Sequence, residues 1–503
     1  DCMEPVKLTE RFVTMDYHTQ DPLDPHPVFP QWSPWDVYPY QYWGSMTKRV
    51  VQREFYMPTL ENEFLTVTIA PDIGGRIWDV YDKVGGRHMA NFNDELRVYN
   101  AGFGLNYATG GIECNYPLAH SCTTSRKREV STRRNPDGSA SIIISEFEWI
   151  WRTRWSVTYT LYPDRSFVEL RVRIYNRTPF DSRYMYWNNC GFVLSQDSQF
   201  IFPEDAGSMH GMEAKTFSWP IWHHRDMSFW REVPPAMLGL YMLDAREPYF
   251  GYYDHGGQFG LVHYGDLADL PGKKYWTWGT DPVLVESYRK THHSMGEVYG
   301  EVQSGRIVIQ EHLDRVPPET ECEWSEIWYP VRGTGAFNAA GPGAALRAEV
   351  IESSERGSRL RVTAMGNGLF PSARVVATSE GSPPVERPMP LDPRTASECV
   401  LELPGPAGPD RRTAVTLRND DGEALAVWRL RKVRRRDSWR EVVVVRDQRR
   451  PAAAEEHFLE GEQLQRDWGN HDPRPAYERA LRADENFSPA RLELGKLAMW
   501  QGL

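Results

Sequence analysis

The chain has 503 residues, of which 40% are hydrophobic and 25% are charged, a balance typical of folded globular proteins. This length exceeds what one core can fill, so two to four domains are expected, and no apolar run approaches the ~18 residues of a membrane-spanning helix. The net charge of −11 disfavours nucleic acid as the main ligand. Neither a nucleic acid nor a membrane is predicted as a partner.

The cysteines and the first residues bear on the compartment and on cofactors. Six cysteines are scattered without the CxxC spacing of a zinc site, which favours a reducing environment. The first residues lack the basic and apolar regions of a signal peptide. We therefore expect a cytoplasmic protein, with no metal and no other cofactor.

The first 335 residues are predicted to be mainly β. Residues 1–46 form an aromatic-rich arm, and residues 47–335 have the pattern of β-strands separated by turn signals. No long amphipathic helix is predicted in this stretch, so a large antiparallel sandwich or barrel is favoured over βαβ units. The clearest strands are expected at residues 67–70, 141–145, 156–161, 168–175 and 306–310.

A second β-domain is predicted beyond residue 335. Residues 336–350 have the Gly/Ala/Pro composition of a hinge, and short strands then indicate a small β-sandwich over residues 347–447. A basic run at 429–450 is interpreted as the solvated flanks of a buried strand, Val442–Val445. Nucleic-acid binding by this run is the alternative.

Residues 452–503 are predicted to be helical and resemble one tetratricopeptide unit. A single unit cannot bury its own apolar face, because such repeats need neighbours. Two interpretations follow: the segment belongs to a longer array, or it docks on the β-domains. A protein partner or self-association through these helices is the corresponding expectation.

The segment GGIECNYPLAH (110–120) carries two ionisable candidates, Glu113 and His120. A glutamate among apolar neighbours can have a raised pKa and act as a general acid. His120 lies seven residues later and can share its cavity. The alternative is a structural glutamate that binds the loop backbone.

The segment GKKYWTWG (272–279) combines a cation with two indoles. In a strand, Trp276 and Trp278 lie on one face, where their rings can stack on the apolar C–H face of a sugar beside Lys274. The alternative is that these rings fill the core. Further candidates for binding hydroxyl groups are Arg76 in PDIGGRI, Asn188 in YWNN and His210 in FPEDAGSMH.

Glu326 is the favoured catalytic carboxylate. The two-residue period of a strand puts Trp324, Glu326 and Trp328 on one face, and a carboxylate between tryptophans is unusual on a solvated surface. The segment YGEVQSG supplies Tyr299 and a further carboxylate, Glu301. A structural role is the alternative for Glu326.

Together these motifs resemble the bacterial family called domain of unknown function 5107, found ahead of tetratricopeptide arrays. The order and spacing match over about residues 40–335. The resemblance implies a galactose-mutarotase-like β-supersandwich, followed by a small β-domain and helices. It transfers no catalytic residue. One departure is Cys114, where the family more often has a bulky aromatic, so a different pocket wall is expected. The motifs that carry the resemblance are PDIGGRI, GGIECN, YWNN, FPEDAGSMH, GKKYWTWG, YGEVQSG and WSEIWYPVRGTG.

Three functions are expected to compete, all with a carbohydrate ligand, because the fold alone cannot choose between them. The first is a glycoside hydrolase, in which Glu113 and Glu326, with Glu301 in reserve, flank a glycosidic bond. The second is an aldose 1-epimerase with Glu326 as base and His120 or His210 as acid. The third is a glycan-binding or scaffold protein without catalysis. The expected lining is Arg76, His120, Asn188, His210, Lys274, Trp276, Trp278 and Tyr299.

Overall fold

The computed structural model describes residues 4–23, 39–41, 44, 46–102, 105–118, 120–210, 215–292, 297–310, 312–432, 440–441, 453–466 and 472–500. Strands make up 50% and helices 12%, which confirms the mainly β class. The predicted strand Val442–Val445 lies outside the described residues.

The strands of the large β-unit are β1 (Lys7–Thr9), β2 (Phe12–Gln20), β3 (Met46–Tyr56), β4 (Thr59–Glu61), β5 (Leu65–Ala70), β6 (Arg76–Asp82), β7 (Arg87–His88), β8 (Glu95–Leu96), β9 (Tyr99–Gly102), β10 (Leu105–Tyr107), β11 (Ile112–Asn115), β12 (Glu129–Arg134), β13 (Ala140–Phe147), β14 (Thr153–Leu161), β15 (Val168–Asn176), β16 (Ser182–Tyr184), β17 (Trp187–Val193), β18 (Ser198–Ile201), β19 (Ala206–Met209), β20 (Lys215–Ser218), β21 (Ile221–Trp222), β22 (Arg225–Asp226), β23 (Leu238–Met242), β24 (Tyr249–Asp254), β25 (Phe259–Gly265), β26 (Gly272–Thr277), β27 (Tyr299–Gly305), β28 (Asp314–Val316) and β29 (Glu321–Arg332).

The remaining elements are β30 (Ala339–Ala340), β31 (Ala344–Ser354), β32 (Gly357–Gly366), β33 (Arg374–Ser379), β34 (Ser382–Pro388), β35 (Ser397–Leu403), β36 (Ala414–Arg418), β37 (Ala424–Arg429) and β38 (Arg440–Glu441), the helices α1 (Pro282–His292), α2 (Ala454–Arg466), α3 (Arg474–Ala483) and α4 (Ser488–Trp500), and two short 3-10 helices at Trp230–Glu232 and Pro409–Arg411.

Two large antiparallel sheets form the main sandwich. The 13-stranded sheet has the order β1-β4-β5-β6-β11-β17-β27-β26-β23-β19-β20-β38, with β7 beside β6. The 8-stranded sheet has the order β12-β13-β14-β15-β29-β25-β24-β18. The predicted antiparallel sandwich is therefore present, and β2 with β8 is a short parallel contact outside these two sheets.

The strands of both sheets alternate apolar and polar residues. The core lies between the two sheets because their apolar faces pack against each other. In β15, Val168, Leu170 and Val172 are fully buried, while Glu169 and Arg171 between them point away from the core. The 13-stranded sheet contributes residues such as Ile112 to the same cluster. This alternation gives each sheet one face on the core and a second face with different chemistry.

The small sandwich pairs two four-stranded sheets, β30-β31-β32-β35 and β34-β33-β36-β37. Residues such as Leu360, Val375 and Leu417 fill its separate core. The prediction of a hinge over residues 336–350 is wrong in the second half of that segment, because β31 begins at Ala344. Ala345 and Leu346 are fully buried, and packing of these apolar residues favours a strand over a flexible connection.

Two local expectations within the large unit are wrong. A helix, α1, covers Pro282–His292, where no long helix was predicted. Its start has a recognisable signal, since Asp281 Oδ1 accepts the backbone N–H of Val283 at 2.8 Å and proline occupies the first helical position. The strand expected at 306–310 is also absent, because β27 ends at Gly305.

The C-terminal helices pack on one another and on the large unit. The helical structure predicted over residues 452–503 is present in its described part as α2, α3 and α4. Arg183 in β16 forms an ion pair with Glu493 of α4 at 3.3 Å, with both side chains 7% exposed. None of the described helices has the length and hydropathy needed to cross a membrane. Their tetratricopeptide character stays a prediction.

We expect Arg183→Ala to loosen the helices from the sandwich. Loss of Arg183 leaves Glu493 with only Lys496, a partly exposed neighbour on the same helix at 2.8 Å, as counter-charge, which costs about 1–3 kcal/mol. Hydrogen exchange should therefore accelerate in α2, α3 and α4 while the rest of the chain keeps its protection. Arg482→Ala is the control, because that arginine forms an exposed pair with Glu478. Equal protection in both variants would contradict the docking role.

Candidate functional site

The face of the 13-stranded sheet that points away from the core carries a row of polar side chains. Glu113 in β11 lies opposite Asn189 in β17, which lies opposite Gln303 in β27. Gln303 in turn lies opposite Lys274 in β26, and Lys274 lies opposite Tyr241 in β23. Because paired residues point to the same side of a sheet, these five side chains share one face.

The next row along the same face contains Gly191, Glu301, Trp276 and Gly239. A Cβ atom on Gly191 would lie 2.5 Å from the Tyr299 ring, and one on Gly239 would lie 2.6 Å from the Trp276 ring. The two glycines therefore let these rings lie against the sheet. We call the surface formed by Arg76, Glu113, Asn189, Glu301, Gln303, Lys274 and Trp276 the polar face.

Glu113 is held from several sides at one end of the polar face. Arg76 is the first residue of β6, directly after the glycine turn. It forms an ion pair with Glu113 Oε1 at 2.7 Å. The Thr124 hydroxyl donates to the same oxygen, and His120 Nδ1 lies 2.9 Å from Oε2. Arg76 also donates to the backbone oxygen of Gly110 at 3.3 Å. Both side chains of the ion pair are almost fully buried.

The pKa of Glu113 is about 2. Burial raises the pKa, but the charge of Arg76 outweighs it, helped by His120 and by the Thr124 hydroxyl. The raised pKa expected for a general acid at this position is therefore wrong. Glu113 is a fixed negative charge at neutral pH.

His120 connects Glu113 to the rest of the polar face. Its side chain is 29% exposed, and its ring lies 5.1 Å from the ring of Tyr107. Burial lowers the pKa of His120, but the carboxylate of Glu113 and, more weakly, that of Glu301 raise it above its ordinary value. Since Nδ1 faces Glu113, Nε2 is the nitrogen directed away from it. His120 therefore has the properties of an acid–base group.

Lys274 and His210 form a second cluster on the face. Lys274 Nζ lies 3.1 Å from His210 Nδ1 and donates to Gln310. The Tyr241 hydroxyl lies 2.8 Å from the same nitrogen of His210. Burial, then the charge of Lys274, lowers the pKa of His210 to about 3. His210 is thus neutral at physiological pH, which suits a binding group better than a proton donor.

Glu301 lies between the two clusters. Its Oε1 accepts the Tyr299 hydroxyl at 2.7 Å, and its Oε2 accepts the Gln303 amide at 2.7 Å. The Gln303 oxygen accepts from Gln310 at 3.1 Å, so the network continues to Lys274. These donors fix the orientation of the Glu301 carboxylate.

Trp276 and Trp278 form a partly exposed aromatic edge. Both side chains are half-buried, and their rings meet edge to face at 5.9 Å. Lys274 Nζ lies 5.2 Å from the Trp276 ring. Trp278 stacks on Tyr288 of α1 at 4.2 Å. The missed helix thus supports the edge, and neither indole is enclosed in the core.

Glu326 and Asn188 are not part of the polar face. Glu326 lies in β29 with its side chain 0% exposed, and His263 Nε2 contacts its Oε2 at 2.6 Å. The Asn188 amide donates to its Oε1 at 2.5 Å. Trp324 and Trp328 on the same strand face are core residues. The placement predicted for Glu326 and Asn188 in a ligand cleft is therefore wrong, because this strand face packs between the sheets.

The structure brings together the other predicted residues: Arg76, Glu113, His120, His210, Lys274, Trp276, Trp278, Tyr299 and Glu301. It adds Asn189, whose Oδ1 is buried without a hydrogen-bond partner in the described part of the chain. It also adds Gln303 and Gln310. The YWNN motif offered both asparagines, and only the strand register shows that the second one faces outward.

Comparison with known proteins gives a family and a fold. The model of the family described as Domain of unknown function (DUF5107) matches residues 33–331. A TPR-domain containing protein from Parabacteroides distasonis matches with a TM-score of 0.58 and 23% identity, over 65% of this chain and 56% of that chain. This chain thus spans just over half the length of that structure. A galactose mutarotase-like protein from Clostridium acetobutylicum matches with a TM-score of 0.42 and 10% identity, over 56% and 96% of the two chains.

We expect Glu113→Gln to destabilise the protein in a pH-dependent way. The pKa of Glu113 falls from 4.5 to about 2 on folding, so its ionised form adds stability above pH 4.5 that is lost as pH falls towards 2. At pH 7 the variant should lose about 3–5 kcal/mol of unfolding free energy, since Arg76 stays buried without its counter-charge. Between pH 4.5 and 2 its stability should fall less steeply.

Urea unfolding at a series of pH values measures this effect. Glu129→Gln is the control, because that carboxylate pairs with Arg154 in solvent. An identical pH dependence in Glu113→Gln and the unmodified protein would contradict the assignment.

We expect Glu326→Gln to act on stability. The amide keeps the shape of the carboxylate but replaces a charge that binds His263 and Asn188 in the core, which costs about 1–3 kcal/mol. Chemical denaturation checks this value, and Glu323→Gln, on the exposed face of the same strand, is the control. Unchanged stability in Glu326→Gln would show that the core network is dispensable.

Proposed function

We propose that this chain, which belongs to the family described as domain of unknown function DUF5107, is a carbohydrate-active enzyme that interconverts the anomers of an aldose. The observation that carries the proposal is the position of His120. It contacts the Glu113 carboxylate at 2.9 Å, and the charge of Glu301 also acts on it. An imidazole that contacts one carboxylate and feels the charge of a second, on a face with aromatic rings and amides, suits proton transfer on a sugar.

The proposed acid–base pair is Glu301 and His120. Glu301 takes the proton from the anomeric hydroxyl while the bond between C1 and the ring oxygen breaks. The electron pair of that bond goes to the ring oxygen, which takes a proton from His120 Nε2. Rotation about the C1–C2 bond and the reverse steps give the other anomer. Glu113 supports the reaction by stabilising the protonated imidazole of His120.

The remaining groups of the polar face are suited to holding the sugar. Trp276 offers an aromatic surface for the apolar side of the ring. Asn189 Oδ1 is a buried acceptor that no described residue satisfies, and a sugar hydroxyl can donate to it. Lys274, which donates to Gln310, lies two strands from Asn189 in the same row of the polar face. The combination of stacking and hydroxyl binding supports an aldose over a phosphate or a lipid.

Glycoside hydrolysis is the second candidate. The observation that favours it is that Glu113 and Glu301 share the polar face, and the charges of both act on Tyr107. Hydrolysis needs a protonated carboxyl to donate to the leaving oxygen. The pKa of about 2 excludes Glu113 from that role at neutral pH, so Glu301 would have to be the acid and Glu113 the base or nucleophile.

Polarimetry on a panel of freshly dissolved aldoses tests the proposal, beside release of reducing sugar from a panel of glycosides. We expect accelerated mutarotation of at least one aldose. Glu301→Gln and His120→Gln should each lower that rate about 10²–10⁴-fold, as is usual for loss of a general acid or base. The rate should fall as pH rises through the raised pKa of His120, because the proton donor is then lost.

His88→Gln is the matched control, because His88 also pairs with a carboxylate at 2.8 Å, from Asp79, but lies on the surface. Sugar release from a glycoside that depends on Glu301 would replace the epimerase with the hydrolase. Sugar binding without turnover in either assay would support the non-catalytic interpretation. Full mutarotation in Glu301→Gln would overturn the acid–base pair.

A further inference from the structure

A cavity lies on the far side of the large sandwich from the polar face. Its volume is about 580 Å³, within the ~300–1,000 Å³ of small-molecule sites. Its floor is the outer face of the 8-stranded sheet, where Glu169, Tyr264 and Ser325 point away from the core. Pro342, between β30 and β31 of the small sandwich, closes one side. We call this space the seam cavity.

Aromatic rings form the walls of the seam cavity. Tyr162, Phe167 and Tyr264 line it and are half-buried. The ring centroids of Tyr162 and Phe167 lie 5.7 Å apart at 55°. Such rings expose apolar surface together with a phenol hydroxyl, which suits a ligand with one apolar and one polar face.

The polar groups of the seam cavity are acceptors and hydroxyls. Glu169 Oε2 accepts the Tyr162 hydroxyl at 2.6 Å, and Asp266 and Ser325 are exposed at the rim. Its lining, all of it within the described residues, includes three acidic residues and neither lysine nor arginine. Glu169 and Asp266 direct their carboxylates outward, whereas the Glu326 side chain is buried in the core. Carboxylates accept hydrogen bonds from sugar hydroxyls and repel a negatively charged ligand. Arg171 lies nearby but is paired with Glu323.

We propose that the seam cavity is a second saccharide-binding site, selective for neutral or amino sugars over acidic ones. The lining rings stack on the sugar, and Glu169 and Asp266 accept its hydroxyls. A compact ammonium ion, the other ligand that aromatics and carboxylates attract, would leave most of this volume unfilled. The site is separate from the polar face, because the two lie on opposite outer surfaces of one sandwich. The inference therefore does not depend on the acid–base pair.

Saturation-transfer NMR and calorimetry on the full chain test the proposal. The probes are hexamers of β-1,4-linked glucose, β-1,4-linked glucosamine and α-1,4-linked galacturonate, with tetramethylammonium as the competing ligand class. We expect the first two hexamers to bind at least about tenfold more tightly than galacturonate. Tyr264→Ala and Glu169→Gln should each weaken that binding about tenfold, a loss of 1.4 kcal/mol.

Two further variants separate the seam cavity from other surfaces. Tyr175→Ala removes a tyrosine that is 38% exposed on the same outer face of β15 as Glu169, and it should leave affinity within about twofold. Trp276→Ala removes the aromatic surface of the polar face and should leave seam binding intact. Glu169→Gln keeps the side-chain shape, so it still tests the site if Tyr264→Ala does not fold.

Several outcomes would overturn the proposal. The first is that no hexamer binds at millimolar concentration, and the second is that binding is lost in Trp276→Ala but kept in Tyr264→Ala. The others are that galacturonate binds more tightly than the neutral and amino sugars, or that only tetramethylammonium binds. Failure of mutarotation with retained seam binding would overturn the proposed activity only. Mutarotation without seam binding would overturn only the second site.

Discussion

The two-residue period of the 13-stranded sheet is the constraint on which the proposed site depends. Successive residues of β11, β17, β27 and β26 alternate between the sandwich core and the polar face. Cys114 and Val302 are packed in the core, while their neighbours Glu113 and Glu301 point outward. A shift of one residue in any of these strands would exchange the two sets and bury the ionisable groups. The tight core therefore fixes the chemistry on the other side of the sheet.

Charges near this sheet are tolerated because each has a specific counterpart. Lys273 is buried and forms an ion pair with Glu204, and Arg76 does the same with Glu113. Lys274, one residue later, points to the opposite face and contacts His210 and Gln310. Adjacent lysines thus have different roles, one in the stability of the fold and one on the proposed binding surface, because a buried charge needs a partner.

Much of the fold could be predicted from the sequence, because hydrophobic period and turn residues are local signals. The antiparallel sandwiches and the helices α3 and α4 follow from them. The errors arise where tertiary contacts decide. Arg306 binds Asp269 at 2.7 Å and Asp314 at 3.1 Å, and the chain bends there where a continued strand was expected. The start of α1 was marked by Asp281-Pro282, a signal that the β pattern around it obscured.

The candidate site was predictable in its motifs but not in the direction of each side chain. GGIECNYPLAH and GKKYWTWG do contribute to one face, whereas Glu326 and Asn188 point into the core. The two-residue period of a strand correctly places Trp324, Glu326 and Trp328 on one face, but it does not show which face of the strand packs against the other sheet. That choice depends on pairing with β15 and β25, which is a long-range contact.

Two Glu–His pairs in the same sandwich show why solvent access, and not residue type, decides function. His263 contacts Glu326 at 2.6 Å with its side chain 2% exposed, and burial lowers the pKa of His263 despite the carboxylate. His120 contacts Glu113 at 2.9 Å with its side chain 29% exposed, and its pKa is raised, because its carboxylates outweigh burial. The first pair holds a neutral imidazole in the core. The second pair is the one with solvent access, and it is also the pair that shares a face with Glu301 and the indole of Trp276.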